Sequence, residues 1–198
     1  MIVVGLWVVA LGTATCLRNQ VWRSPLTLWE DASRKSPRKA RVWHSLGNAY
    51  YFSRQLALAE IAYRNAIDAD PKNTPSFNNL ATLLHDQGRY QDAVETGLRG
   101  LAAGPSIYDH LLYFSLGRSY RNSGDTANSL VAFMNALKLA PAHRPTHLEI
   151  GWLYCQTGPY NAALHHLRTA AKLEPPDQRL TNLIEEVEVA IRSQQANR

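Results

Sequence analysis

Apolar residues along this chain fall at helical spacing in block after block, with polar residues between them. In 40–73 the block holds Trp43, Leu46, Gly47 and Tyr50, then Ala59, Tyr63, Ala66 and Pro71. The same offsets in 74–107 hold Phe77, Leu80, Ala81, Leu84, Ala93, Gly97, Gly100 and Pro105. In 110–143 they hold Tyr113, Leu116, Gly117, Tyr120, Ser129, Phe133, Ala136 and Pro141, and in 144–177 His147, Ile150, Gly151, Tyr154, Ala163, Leu167, Ala170 and Pro175. Large residues at offsets 4, 7 and 11 make one stripe of an amphipathic helix. Small residues at offsets 8 and 20 let two such helices approach closely. Glycine at offset 15 (Gly88, Gly124, Gly158) supplies the turn between them. Arg54 stands at that offset in the first unit. The proline ends the second helix, because it lacks an amide hydrogen and clashes with the preceding turn.

Five prolines (Pro37, Pro71, Pro105, Pro141, Pro175) are spaced 34, 34, 36 and 34 residues apart. A fixed period in this range predicts stacked repeats. The residue types at these eight offsets resemble the tetratricopeptide repeat (TPR) family, with one two-residue insertion at Tyr108–Asp109. The resemblance implies an all-α, right-handed solenoid of helical hairpins, divided as 40–73, 74–107, 110–143 and 144–177. Trp29, Ala32 and Pro37 repeat offsets 24, 27 and 32, so 24–37 reads as the second helix of a partial repeat inside a basic segment, 18–39. Residues 178–194, with Leu180, Leu183, Ile184, Val187 and Ile191 at helical spacing and three glutamates between them, read as a capping helix.

The first 17 residues, MIVVGLWVVALGTATCL, carry no charge. A membrane-spanning helix needs about 20 apolar residues, with a lower limit near 17, so an N-terminal hydrophobic helix and a single-pass membrane protein are expected. A secretory signal cut near Ala14 and a buried core helix are the alternatives. The run from Arg18 to Tyr50 is similar to the junction in transmembrane-and-TPR proteins related to O-mannosyltransferases. That likeness implies the C-terminal TPR part of a polytopic glycosyltransferase, with the catalytic part upstream.

Charge is unevenly placed. Seven of the 21 basic residues precede position 42, against Glu30 and Asp31, so the first 41 residues hold 7 − 2 = +5 and the rest 14 − 14 = 0. A basic flank beside an apolar segment suits anionic lipid head groups. Nucleic-acid binding would want a basic stripe along the repeats, and none is present. The Lys and Arg excess places the repeats in the cytoplasm, whereas the transferase likeness points to the other side, so the side stays open.

No catalytic constellation is readable: there is no phosphate loop, GxSxG or HExxH. Cys16 and Cys155 form no disulfide framework. His143 and His147, then His165 and His166, lack the convergent third ligand zinc wants, so His147 reads as a satisfied interior histidine. No cofactor or metal is expected, and the chain reads as non-enzymatic.

The TPR resemblance implies a concave groove lined by offsets 2, 5, 9 and 12 of each first helix. These are Arg41, His44, Asn48 and Tyr51; Pro75, Asn78, Thr82 and His85; Leu111, Phe114, Arg118 and Arg121; and Pro145, Leu148, Trp152 and Cys155. Aromatic and arginine side chains dominate binding hot spots. The expected partner is therefore a protein or peptide segment, acidic where it meets Arg118 and Arg121. The chaperone-binding subset of TPR domains clamps a C-terminal carboxylate. Asn48 and Asn79 fall on two of its positions, but His44, Leu111 and Ser115 replace the required Lys, Lys and Arg, which excludes that ligand.

Overall fold

A computed structural model describes Thr15, residues 22–175 and residues 177–196. Among them are ten α-helices and no strand. In chain order they are α1 (Pro25–Lys35), α2 (Ala40–Phe52), α3 (Leu56–Ala69), α4 (Thr74–Asp86) and α5 (Tyr90–Ala102). Then come α6 (Asp109–Asn122), α7 (Thr126–Leu139), α8 (Arg144–Thr157), α9 (Tyr160–Leu173) and α10 (Gln178–Ala196). The chain divides into two compact units between Leu80 and Ala81.

Local chemistry sets the helix ends. Ser24 caps α1 by accepting the Thr27 amide at 3.2 Å, with Pro25 in the first turn where no intrahelical donor is lost. Asp125 caps α7 in the same way through the Asn128 amide at 3.0 Å. The turns inside the hairpins need a left-handed residue. Gly158 supplies it at φ 103°, whereas Arg54 is held at φ 61° without glycine's freedom.

In the first unit, α2 and α3 interlock through a small-against-large pair. A Cβ added to Gly47 would sit 2.5 Å from the Tyr63 ring, so only glycine admits that ring. Tyr63 is 2% exposed. Helix α1 joins α2 through the Tyr50 hydroxyl, which donates to Glu30 Oε1 at 3.1 Å.

In the second unit the device recurs. Gly117 faces Phe133, and Gly151 faces Leu167. A Cβ on Gly97 would sit 2.9 Å from the Leu116 side chain, too close to fit without a shift. Its missing side chain is the room Leu116 fills. Val94, Leu116 and Ala132 make one core cluster. Ala163, Leu167, Ala170, Leu180 and Val187 make another, which closes α10 onto α9.

His147, at an offset otherwise apolar or aromatic, is 6% exposed. Its Nε2–H donates to the Pro141 carbonyl at 3.0 Å, as the Trp43 indole does to the Pro37 carbonyl at 2.7 Å. Both rings sit six residues past the proline that closes the preceding repeat. An imidazole N–H replaces an indole N–H there, which is why a polar ring is tolerated.

Two expectations need correction. Among the described residues no helix is long and apolar enough to cross a membrane. The longest, α10, has 19 residues and is interrupted by Arg179, Glu185, Glu186, Glu188 and Arg192; the others have 11 to 14. Neither the single-pass placement nor an N-terminal hydrophobic helix is supported. Apart from Thr15, residues 1–17 lie outside the described residues.

Candidate functional site

In the first unit the predicted face is built on α2 and the first half of α4. Arg41 is exposed, while Tyr51 and Asn78 are half-buried. Asn48 is committed to the fold. Its Oδ1 accepts from the Tyr63 hydroxyl and from Asn79 Nδ2, each at 2.8 Å, and its Nδ2 donates to His44 Nε2 at 3.2 Å. His44 Nδ1–H then donates to Ser76 Oγ at 3.1 Å, and the Ser76 hydroxyl to Asn73 Oδ1 at 2.7 Å. The chain of bonds is consistent only with a neutral imidazole protonated on Nδ1. Burial lowers the His44 pKa and raises that of Tyr63. Asn48 and His44 therefore organise this face from within. The sequence does not reveal it, since Tyr63, Ser76 and Asn79 come from three other helical positions.

The second unit repeats the arrangement one repeat later. His85, buried at 7% exposure, donates from Nδ1 to Ser119 Oγ at 3.2 Å, and Ser119 donates on to the Ser115 carbonyl at 2.9 Å. The His85 Nε2 lone pair accepts from Arg118 Nη2 at 3.2 Å. Desolvation first, then the Arg118 charge, lowers the His85 pKa. Arg118 is thus aimed by a neutral ring and keeps its charge. Thr82 lies 3.5 Å from Ser115 Oγ, a long contact. Phe114 packs edge-on against His143 with centroids 5.1 Å apart, so it is a wall more than a free anchor.

Arg121 is spent differently. Its Nη1 donates to Glu149 Oε2, an acidic partner absent from the predicted lining, and its Cζ lies 4.9 Å from the Trp152 ring centroid. Glu149 sits between Leu148 and Ile150 on α8, one turn before Trp152. Trp152 remains 40% exposed. Beside it opens a groove of about 350 Å³ lined by Leu148, Leu167, Leu180 and Leu183, with Arg121, Glu149, Asp177 and Arg179 at its edge. Arg179, Leu180 and Leu183 of α10, with Asp177 just before it, could have been found only by knowing where the capping helix packs.

The remaining polar groups offer little chemistry. His166 Nδ1–H donates to His147 Nδ1 at 3.0 Å. Burial, with the nearby His147 and His165 rings, pushes the His166 pKa down to about 4. Among the described residues no group of three His, Cys, Asp or Glu could hold a metal ion. Cys155 is half-buried and its thiol pKa is raised by burial, which disfavours the reactive thiolate.

A family model described as Tetratricopeptide repeat matches residues 40–73 and 111–143, and a second of the same description matches 62–95. This chain carries tetratricopeptide repeats. The Arabidopsis thaliana "Protein CTR9 homolog" is 30% identical over 149 residues, which cover 71% of this chain and 13% of that protein. The Xenopus laevis "Protein O-mannosyl-transferase tmtc2" is 30% identical over 89 residues, covering 44% of this chain and 11% of that protein. The chain thus spans only a small part of the curated relatives it matches. Among solved structures, Pseudomonas aeruginosa pilF aligns with a TM-score of 0.78 at 19% identity, covering 94% of this chain and 83% of that one. YrrB, described as "a TPR protein with an unusual peptide-binding site", aligns at 0.67 and 15% identity, covering 83% and 84%. At these identities the structures establish a shared fold.

Proposed function

We propose that the protein is a non-catalytic scaffold that captures a segment of a partner protein on the first-helix faces of its repeats. The observation that carries this is Arg118. It is half-buried on α6 and fixed by one bond to the neutral His85 ring, with its charge uncancelled by that partner. A pre-oriented guanidinium recognises a carboxylate without first losing side-chain freedom. Such a contact gives the partner acidic character on this face. Arg121, already paired with Glu149, contributes less to that preference than its sequence position suggests. YrrB, whose fold is shared, is described as having a peptide-binding site, which is in keeping with this reading.

Affinity capture with the intact chain tests it. Wild type and an exposed-surface control, Arg99→Ala on α5, should retain the same partner, and Arg118→Ala should lose it at unchanged thermal stability. Capture indifferent to Arg118→Ala and to Asn78→Ala would refute the reading. The alternative, a repeat region that presents acceptor proteins to a glycosyltransferase, is favoured by the partial match to tmtc2. Finding no transferase region in the gene that encodes this chain would remove it.

A further inference from the structure

We propose that the corner where α1 turns into α2 docks on an anionic phospholipid surface. The contact is peripheral, with no described helix crossing the bilayer. It is independent of the recognition reading above.

Within eight residues, Arg34, Lys35, Arg38, Lys39 and Arg41 are all exposed. Two lie in the last turn of α1, two in the connection and one in the first turn of α2. Asp31 pairs with Lys35 at 2.6 Å, and the other four cations have no ion-pair partner among the described residues. Counting every charge in 22–80 leaves 9 − 5 = +4, whereas 81–198 hold 11 − 11 = 0. That count includes Glu30, bonded to the Tyr50 hydroxyl, and Asp68, which shares a recess with Arg38. The positive excess is therefore real after its neighbours are subtracted. Helix stability does not call for it either. Lys39 and Arg41 stand at the start of α2, where the helix dipole disfavours cations, and no acidic residue lies in that first turn.

Apolar neighbours select a bilayer over a soluble polyanion. Trp22, 63% exposed, and the exposed Arg23 stand just before α1. Tryptophan is favoured at the depth of the lipid head groups. Further upstream in the sequence, 1–17 carry no charge and are rich in Val, Leu, Ile and Trp. Cations beside apolar sequence gain from head-group phosphates and from hydrocarbon together. A nucleic acid would reward a stripe of cations along the repeats, and the balanced charge of 81–198 offers no excess for one.

Co-sedimentation of the intact chain with phosphatidylcholine vesicles, with and without phosphatidylserine, tests the docking. The chain should bind the vesicles that contain phosphatidylserine, and less so as salt rises from about 0.1 M to about 0.5 M. Arg34→Ala, Arg38→Ala and Lys39→Ala together should lower affinity on the order of a hundredfold, about fivefold for each cation. Arg99→Ala, Lys138→Ala and Lys172→Ala together remove the same charge from other exposed positions and should bind like wild type. Should the corner triple lower the urea midpoint, Arg38→Gln with Lys39→Gln gives the decision. Equal binding to phosphatidylcholine alone, or a corner triple that binds like wild type, would overturn the docking and assign attachment to the uncharged run. Equal losses in the two triples would overturn the corner as the site. A duplex oligonucleotide bound through the corner, with no vesicle binding, would overturn the lipid assignment.

Discussion

Asn48→Ala separates a ligand-binding asparagine from one that holds the fold. The substitution removes an oxygen that accepts from the Tyr63 hydroxyl and the Asn79 amide, both at 2.8 Å, and a nitrogen that donates to His44. Tyr63 is 2% exposed, so its hydroxyl hydrogen loses its acceptor with little access to water. Stranding a buried polar group costs about 1–3 kcal/mol. Asn79 and His44 are half-buried and regain water, so each adds only a few tenths. The sum is about 2–3 kcal/mol, with the Tyr63 hydroxyl contributing most of it. Urea unfolding followed by far-UV circular dichroism measures it. Tyr63→Phe alone should cost about 1 kcal/mol. The double variant should cost less than the two singles together by about 1–2 kcal/mol, because one stranded group has been removed. Asn48→Ala within about 0.5 kcal/mol of wild type, or strict additivity in the cycle, would refute the structural assignment.

The other predictions concern packing and protons. Gly117→Ala places a Cβ 2.5 Å from the ring of Phe133, which is 0% exposed and has nowhere to move. Overpacking of about 1–3 kcal/mol outweighs the roughly 1 kcal/mol gain in helix propensity. The variant should unfold at lower urea, and Phe133→Leu in the same chain should restore part of the loss; a stabilised Gly117→Ala would count against the interlock. Burial lowers the His44, His85, His143 and His166 pKa values below the ordinary 6.5. The unfolded chain therefore binds these protons first as the pH drops. The stability they contribute is whole above about pH 6.5 and is lost as the pH falls through the folded values, for His166 to about 4. Urea midpoints measured from about pH 7.5 down to about pH 4.5 should decline, and His166→Asn should flatten the acid limb. Flat midpoints over that range would refute the neutral-histidine networks.

Helices and hairpins were legible in the sequence because they depend on short-range rules. The period of the prolines, the 3.6-residue stripe and the small residues at fixed offsets each constrain a backbone within one repeat. They are met by Gly47 against Tyr63, Gly117 against Phe133 and Gly151 against Leu167. What each polar side chain does was not legible, because its partner lies about one repeat away. His44 meets Ser76, and His85 meets Ser119, 32 and 34 residues on. Arg121 meets Glu149, 28 residues on. Read by offset alone, Asn48, Arg118 and Arg121 are equivalent groove residues. Packing makes the first a structural hub, the second a pre-aimed cation and the third a paired support for Trp152. The sequence by itself determined the repeat and its apolar seams, since burying a periodic stripe leaves a hairpin few alternatives. Only the tertiary structure decided which donors and charges remain for a partner, since hydrogen bonds and ion pairs are settled by proximity across the stack.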